Sequence, residues 1–118
     1  MTEKSIPESL RIAIQAIDDR KGQNLVVLDL RRINDATEFF VIASGTSDAH
    51  VRGIAEWVME RLAQEGDRAH HVEGLTSGRW VLLDYVDFVI HLFHPDTRAF
   101  YQLERLWSDA PELLIGPS

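Results

Sequence analysis

Two apolar runs in the second half of the chain, RWVLLDY at 79–85 and DFVIHLF at 87–93, are separated only by Val86. Both runs are rich in branched and aromatic side chains, a composition typical of buried β-strands. One intervening residue cannot accommodate a helical crossover, so the runs are predicted to pair as an antiparallel hairpin or to meet at a sharp bend. Any fold for this chain must therefore contain a sheet that includes this pair.

Further strands are predicted at three places, where apolar residues are similarly dense or alternate with polar ones. They cover residues 24–30, 38–44 and 69–73. Amphipathic segments lie around them, and dense strands flanked by such segments favour a mixed sheet covered by helices. The predicted fold class is α/β or α+β with a five-stranded mixed sheet, and residues 38–73 should form a right-handed strand-helix-strand crossover.

Two of the three predicted helices have recognisable termini. The first covers about 6–21 and follows a capping box that begins at Ser5. The second is capped by Ser47 or Asp48 and ends at Gly66, because glycine readily takes the left-handed conformation that terminates helices. Apolar residues recur in both at intervals of three and four, so one side of each helix should pack on the sheet.

The third helix is predicted to open at Pro95, with Asp96 as its cap. Helical spacing puts three apolar residues on one face of it, namely Phe100, Leu103 and Trp107. Prolines bound the last residues, which predicts an irregular tail over 110–118. The chain, 1–118, is expected to form a single domain with its core in about 6–109, because this length suffices for one core but is short for two.

Cysteine is absent from the chain, which excludes disulfides, thiolate zinc sites and cysteine nucleophiles. The longest uninterrupted apolar runs are about five residues, far below the roughly 20 that a membrane helix needs. The first ten residues have no basic segment followed by an apolar core, so no secretory signal is expected. These features predict a cytoplasmic protein with no membrane association.

Acidic residues outnumber basic ones by nineteen to twelve, a net charge of −7, and the basic residues are scattered along the chain. Binding to nucleic acid depends on a concentrated basic surface that neutralises phosphates, so no direct nucleic-acid site is expected. A basic protein partner would suit an acidic surface better. Acidity that only keeps the domain in solution explains the same charge equally well.

Two segments have some features of catalytic sites. SGTSD at 44–48 joins a strand to a helix N-terminus, where anions bind favourably, but it lacks the spacing and the lysine of a P-loop. Asp84 and Asp87 would suit Mg²⁺ in nucleotidyl transfer, yet their spacing puts them on opposite faces of an extended strand. Capping and turn roles explain both segments better. No catalytic, cofactor or metal site is expected, and a Mg²⁺-dependent nucleotide-binding or nucleotidyl-transfer protein is the alternative.

Period-two alternation divides the strand at 79–85 into two sets of side chains. Trp80, Leu82 and Asp84 point to one side, and Val81, Leu83 and Tyr85 to the other. Both sets contain large apolar groups. Either one set is left uncovered and presents an aromatic anchor to a partner, or helices cover both faces of the sheet.

The order of several longer motifs resembles the ribosomal silencing factor family, RsfS, also called Iojap. The matching segments are KGQNLVVLDL, FFVIASGTSDAHVRGIA, VEG followed by GRWVLLDYVDFVIHLF, and RAFYQLERLWSDA. They extend from about Leu10 to Asp109, nearly the whole chain. The resemblance therefore depends on several motifs in a fixed order and not on one short signature.

The resemblance implies a mixed-sheet fold similar to nucleotidyltransferases but without their working carboxylate and phosphate-binding motifs. It also implies a non-enzymatic role, which is binding to the large ribosomal subunit at ribosomal protein L-fourteen. Such binding sterically blocks joining of the small subunit and represses translation when nutrients are short. Organellar relatives imply a related role in assembly of the large subunit, and a homodimer is a further expectation.

The resemblance places a docking surface around the segments VEG and GRWVLLDY. The residues expected there are Glu73, Trp80, Val81, Leu83, Asp84, Tyr85 and, at the periphery, Arg98. Trp80 would be the anchor, and Glu73 and Asp84 would pair with Lys or Arg of the partner. Related chains usually have glycine at the position of Val86, and a branched residue tolerates a positive φ poorly, so a looser or differently shaped bend is expected.

Overall fold

The computed structural model describes residues 6–113, which form one mixed sheet with helices on both sides. Along the chain the elements are α1 (Glu8–Asp19), β1 (Gln23–Asp29), β2 (Phe39–Ser44), α2 (Asp48–Gln64), β3 (His71–Glu73), β4 (Trp80–Asp84), β5 (Phe88–Phe93), α3 (Pro95–Tyr101), α4 (Leu103–Leu106) and β6 (Glu112–Leu113). Within this described part of the chain, no helix is both long and apolar enough to cross a lipid bilayer.

The strands lie in the order β3-β4-β5-β2-β1-β6. β4 and β5 pair antiparallel, with Trp80 opposite Phe93 and Asp84 opposite Val89, so the predicted hairpin is confirmed. β2 and β5 run parallel at the centre, whereas the other pairs are antiparallel, and the sheet is therefore mixed, as predicted. The likeness to nucleotidyltransferases and the hand of the crossover from β2 to β3 stay predictions.

The sheet has six strands, and the prediction of five is wrong. The additional strand is β6, which pairs antiparallel with β1 through Glu112 and Leu113. The predicted irregular tail over 110–118 is wrong at these two residues, while 114–118 lie outside the described part of the chain. Proline lacks a donor but keeps its carbonyl, and the carbonyl of Pro111 accepts a 2.8 Å hydrogen bond from β1.

The start of α1 differs from the prediction, whereas the start of α2 agrees with it. The predicted capping box would make Glu8 the third residue of the helix, but Glu8 is the first and Pro7 precedes it, so the box is wrong. Its Ser5 lies outside the described residues. At α2 the Ser47 hydroxyl accepts a 3.1 Å hydrogen bond from the backbone N–H of His50, which satisfies one of the free donors of a helix start.

One face of the sheet packs against α1 and α2, and we call it the covered face. It carries the apolar residues Val27, Phe39, Val41, Ala43, Val81, Leu83, Ile90 and Leu92, all of them buried. They meet the apolar stripes of both helices in a single cluster. Burying one branched apolar side chain contributes about 1.5–3 kcal/mol, so this cluster supplies the larger share of the hydrophobic stabilisation.

The opposite face of the sheet is only partly covered, and we call it the open face. Its central positions are Phe40, Ile42, Trp80, Leu82, Asp84, Val89, His91 and Phe93. The chain after β5 covers part of it, because Leu103 and Ala110 pack with Ile42 and Phe93 in a second, smaller cluster. The rest of this face borders solvent.

The third predicted helix is in fact two short helices, because Gln102 takes a left-handed conformation with φ +48° and ends α3. The side chain of His94 caps α3 by accepting from the N–H of Asp96 at 3.2 Å, so the prediction of Asp96 as the cap is wrong. The break also separates apolar residues that were predicted to share one face. Leu103 is buried, whereas Phe100 is 79% exposed.

The turn between β4 and β5 is tight, although Val86 occupies it. Val86 has φ +72°, its N–H donates to Oδ1 of Asp84 at 2.8 Å, and the N–H of Asp87 donates to the carbonyl of Tyr85 at 2.8 Å. Whether this bend is looser or differently shaped than in related chains stays a prediction. The chain tolerates a branched residue in the left-handed region, which costs on the order of 1–2 kcal/mol.

Candidate docking surface

Three of the seven residues expected to contact a partner point into the covered face. Val81 and Leu83 have no exposed surface, and Tyr85 is 6% exposed. All three belong to the core under α1 and α2, and burial raises the pKa of Tyr85 to about 12. A partner does not reach these side chains in the folded domain, so the expectation is corrected: they position the strand from beneath.

Trp80 lies on the open face and is half-buried. Its ring packs against Phe93 and Tyr101, with centroid distances of 4.9 Å in both pairs. The domain thus supports part of the indole while the remainder borders solvent. Rigid, partly supported aromatic rings of this kind are frequent anchors in protein interfaces.

His91 lies beside Trp80 and is 4% exposed. The Nε1–H of Trp80 donates to Nδ1 of His91 at 3.1 Å. Because an indole nitrogen only donates, Nδ1 must be unprotonated, and the proton of the neutral imidazole is on Nε2. Burial lowers the pKa of His91 to about 4, so the ring stays neutral at pH 7.

A groove of about 250 Å³ opens on this face between the hairpin and the loop that follows β1. It is lined by Asn34, Ala36, Thr37, Phe40, Leu82, Asp84, Val89 and His91. Sequence reasoning missed the four-residue loop segment 34–37, because period-two alternation applies within strands and says nothing about a loop that folds over them. The signal that was available is Asn34, whose Oδ1 accepts from the N–H of Ala36 at 2.6 Å in a compact polar turn.

Carboxylates lie along the edge of the open face. The strand pairing puts Glu73 of β3 opposite Leu82, on the same side of the sheet as Trp80. Glu73 is exposed and contacts His71 at 2.5 Å. Asp84 is half-buried, and one of its oxygens is already engaged in the hairpin turn. The structure thus brings Glu73, Trp80 and Asp84 onto one face.

Arg98 does not lie at the periphery of this face as a free cation. Its guanidinium donates twice to Oε2 of Glu104, at 3.0 and 2.8 Å, and once to Oγ of Ser44 at 2.9 Å. Its side chain is 12% exposed. Arg98 therefore links α3 and α4 to the end of β2, and we do not assign it to the docking surface.

The short helices extend the apolar area next to Trp80. Phe100 contacts Tyr101 at a centroid distance of 4.9 Å, and Tyr101 in turn contacts Trp80. Phe100 is 79% exposed and Tyr101 is 50% exposed. Exposed aromatic side chains next to one another are a feature of protein-binding surfaces.

The segments with features of catalytic sites have structural roles. Ser47 caps α2, and the N–H of Gly45 donates to the carbonyl of Phe93 at 3.0 Å. Asp84 stabilises the hairpin turn. Among residues 6–113, no group of three or more His, Asp or Glu is arranged to hold a metal ion.

A small α+β domain that leaves one sheet face partly open, with a supported tryptophan and carboxylates on it, has features typical of protein-binding domains. A family model described as "Ribosomal silencing factor during starvation" matches residues 3–117. The ribosomal silencing factor RsfS of Bacillus subtilis strain 168 is 40% identical over 111 residues, which cover 94% of this chain and 92% of that protein. The chain therefore belongs to the ribosomal silencing factor family, and the resemblance seen in its motifs is confirmed.

Two further comparisons agree with this assignment. A mitochondrial Iojap-related protein of Arabidopsis thaliana is 34% identical over 109 residues, which cover 88% of this chain and 56% of that protein. A crystal structure of a Bacillus halodurans protein superposes with a TM-score of 0.82 at 37% identity and covers 92% of this chain and 98% of that one. The mixed α+β fold is thus shared, and the family is one of silencing factors, with no catalytic activity indicated.

Proposed function

We propose that this protein, as a single non-catalytic domain in the cytoplasm, docks on the large ribosomal subunit through ribosomal protein L-fourteen. Docking there blocks association with the small subunit by occupying space, and translation is repressed. The observation that carries the proposal is the open face, where half-buried Trp80 stands beside carboxylates. The names of the relatives, which are ribosomal silencing factors, support the ribosome as the partner.

We define the docking surface as Glu73, Trp80, Leu82, Asp84 and Tyr101, all on the open face or next to it. Trp80 is the anchor, because its ring already packs against the domain and loses little conformational freedom on binding. Leu82 and Tyr101 surround it and exclude water from the contact. This division between one anchor and a surrounding ring of weaker contacts is usual for protein interfaces.

The charge of the chain supports a basic partner. With nineteen acidic and twelve basic residues, the domain has a net charge of −7. Glu73 is exposed and Asp84 half-buried, and both are placed to pair with Lys or Arg of the partner. Exposed pairs of this kind mainly accelerate association and make it sensitive to salt, whereas the aromatic anchor determines how long the complex lasts.

The test uses two matched variants, Trp80→Ala on the open face and Trp57→Ala on α2. Trp57 is also half-buried and donates to Asp19 at 3.1 Å, but it lies with the helices on the other side of the sheet. Co-sedimentation with isolated large subunits should show at least about tenfold weaker binding for Trp80→Ala, the loss usual for an interface anchor. Trp57→Ala should bind like the unmodified protein, and circular dichroism should show that both variants are folded.

Normal binding by Trp80→Ala, or loss of binding by Trp57→Ala alone, would place the docking surface elsewhere. Blocking of subunit joining is measured separately, by light scattering of mixed large and small subunits. The unmodified protein should reduce the association signal and Trp80→Ala should not. If the unmodified protein binds large subunits and the signal is unchanged, the steric mechanism is wrong.

A homodimer is also proposed, because Phe100 and Leu106 expose most of their apolar surface to solvent. Burial of these side chains against a second copy would remove apolar area from water. Sedimentation equilibrium should then show dimers that Leu106→Glu shifts to monomers. A monomer at all concentrations would exclude this part of the proposal without affecting ribosome docking.

A further inference from the structure

Two neighbouring rings and one hydrogen bond hold the side chain of Trp80, and these contacts act differently. Phe93 and Tyr101 pack against the indole at centroid distances of 4.9 Å. The hydrophobic part of such packing is not directional. Rotation of an indole about χ2 is broad and roughly two-fold. Packing alone would therefore allow Trp80 to turn either edge of its ring towards solvent.

The hydrogen bond from Trp80 to His91 selects one of these orientations. The two residues are diagonal neighbours across the β4–β5 pair, because Trp80 lies opposite Phe93 and Leu82 lies opposite His91. An aromatic side chain can reach a diagonal neighbour, and Nε1 of Trp80 lies 3.1 Å from Nδ1 of His91. An N–H group donates best when it points at its acceptor. The bond therefore turns the Nε1 edge of the indole towards the buried imidazole.

The imidazole of His91 is itself held by the domain. It is 4% exposed, and Phe40 packs against it in a T-shaped arrangement at a centroid distance of 4.7 Å. Phe40 in turn packs against Trp107 at 5.5 Å. Burial lowers the pKa of His91 to about 4, so Nδ1 remains an acceptor at neutral pH. A buried and neutral acceptor of this kind can keep the half-buried Trp80 ring in one orientation.

A histidine at this position is unfavourable for folding. Its Nε2 is buried and has no hydrogen-bond partner among residues 6–113, and a buried polar atom without a partner is destabilising. The same burial keeps Nε2 from contact with a docking partner. The gain from this histidine is therefore the bond that Nδ1 accepts from Trp80. An apolar residue would avoid the cost but would leave the indole N–H free to turn towards water.

We propose that His91 is a positioning residue for docking, because it accepts the one polar hydrogen of the Trp80 side chain and turns the hydrocarbon edge of the indole towards the partner. All other ring atoms of an indole are carbon, so the solvent-facing part of Trp80 has no hydrogen-bonding group. The partner receives this ring in an apolar pocket that has no acceptor for the indole N–H. A ring that is already oriented loses little freedom on binding. This inference rests on the proposed function and specifies the chemistry of the partner at the anchor.

The first test compares His91→Leu with His91→Asn, which have side chains of equal size. Oδ1 of asparagine can accept and, like Nδ1 of histidine, is bonded to Cγ, whereas leucine has no acceptor. In nitrogen-15 NMR of the free domain, Nε1–H of Trp80 should exchange with water roughly three- to tenfold faster in His91→Leu than in the unmodified protein. His91→Asn should lie between them. Nε1–H of Trp57, which donates to Asp19, is the internal control and should be the same in all three proteins.

Binding to large subunits should follow the protection of this indole N–H and not the stability of the domain. His91→Leu should be more stable in urea than His91→Asn, because it buries no amide. It should nevertheless bind roughly three- to tenfold more weakly than the unmodified protein, which corresponds to one side chain that has to be immobilised. Affinities that follow stability, or that are equal in all three proteins, would overturn the inference. Tighter binding by His91→Leu would show that the partner accepts the indole N–H, and it would also overturn the inference.

The second test asks whether His91 acts through Trp80. Trp80→Phe keeps an aromatic ring but has no N–H to donate. If His91 only orients the indole, adding His91→Leu to Trp80→Phe should weaken binding by less than about twofold, because the interaction is already absent. An equal loss with and without Trp80→Phe would show that His91 affects docking independently of Trp80, and the positioning role would be wrong.

The failure of this inference can be distinguished from the failure of the proposed function. If Trp80→Ala abolishes binding to large subunits while His91→Leu binds like the unmodified protein, the docking function stands and the positioning role of His91 is wrong. If the unmodified protein does not sediment with large subunits although His91 protects the indole N–H, the ribosomal partner is wrong and the role of His91 in docking is wrong with it.

Discussion

The two faces of the sheet are built from the same strands but differ in what they bury. The covered face contains apolar side chains of β2, β4 and β5, closed off by two long amphipathic helices. The open face contains a histidine, a carboxylate and a supported tryptophan, and only short helices cover part of it. Alternation along each strand gives the two faces nearly equal numbers of positions, so the faces differ in which side chains occupy those positions.

The comparison shows where stability and recognition are located in this domain. A buried imidazole whose Nε2 has no partner in the described chain is unfavourable for folding, and an apolar residue at His91 would avoid that cost. Among the described residues that point from the sheet into the covered face, the one buried polar side-chain atom without a partner is the hydroxyl of Tyr85, which directly follows β4. We infer that burial on the covered face stabilises the domain. This stability allows the open face to keep polar groups that are unfavourable for folding but suited to binding.

The largest expected difference between the faces is in the free energy of unfolding, and two leucines that are neighbours in β4 should reveal it. Leu83 is fully buried on the covered face, so Leu83→Ala should lower the free energy of unfolding by about 2–5 kcal/mol through lost burial and a cavity. Leu82 is half-buried on the open face, and Leu82→Ala should cost about 1 kcal/mol while weakening ribosome binding. Urea denaturation measures both, and equal costs would contradict the division between the faces.

The pH dependence of stability should report on the open face. The pKa of His91 is lowered to about 4 by burial, and its value in the unfolded chain is about 6.5. Between these values the unfolded chain binds more protons, so stability is full above about pH 6.5 and is lost as the pH falls towards 4. The loss should be roughly 3 kcal/mol in denaturation at a series of pH values.

His91→Phe is the control for this pH dependence and should remove most of it. Asp29, whose pKa is lowered by hydrogen bonds from Arg31, should contribute chiefly below about pH 4, outside the window of His91. If the free energy of unfolding of His91→Phe still falls between pH 6.5 and 4, the effect comes from other histidines. The pH dependence would then not distinguish the open face from the covered face.

The smallest effect is expected at the tip of the hairpin that contributes to both faces. Val86 is 54% exposed and has φ +72°, so it gains little from packing and carries backbone strain. Val86→Gly should raise the free energy of unfolding by about 1 kcal/mol, since glycine adopts positive φ without a steric cost but has more freedom in the unfolded chain. Thermal unfolding measures the change, and Val86→Ala, which keeps a Cβ, should gain less.

An unchanged or lower melting temperature for Val86→Gly would show that the turn is not strained. If the variant is more stable but binds large subunits more weakly, the valine contributes to docking, and the docking surface extends from the open face to the hairpin tip.

Much of the fold followed from local patterns. The alternation of β4 sorted Trp80 and Asp84 from Val81 and Leu83, and the single residue between two apolar runs predicted the hairpin that pairs them. Ser47 was placed correctly as a cap, because capping depends on residues within one helical turn. These features involve neighbours in the chain, and for that reason they were readable from residue order.

The errors concern residues whose roles are set by distant parts of the chain. Gln102 breaks the last helix although nothing in its local pattern demands a break, and β6 forms because β1 offers a free edge. The contacts of Arg98 with Glu104 and Ser44 within the domain were also not visible from residue order. Partners at such separations are brought together only when the domain packs.

Residue order alone established that this chain has a mixed α+β sheet with two distinct sets of side chains on β4. It left open which set would meet solvent, because both contain large apolar groups. Packing settled the matter: α1 and α2, which come from earlier parts of the chain, bury their apolar stripes on the side of Leu83, and the side of Trp80 is left to short helices that cover it only in part. The physical reason is that successive side chains of a strand lie on opposite faces of the sheet whatever the rest of the chain does. Which face is buried depends on where the helices can remove the larger apolar surface from water.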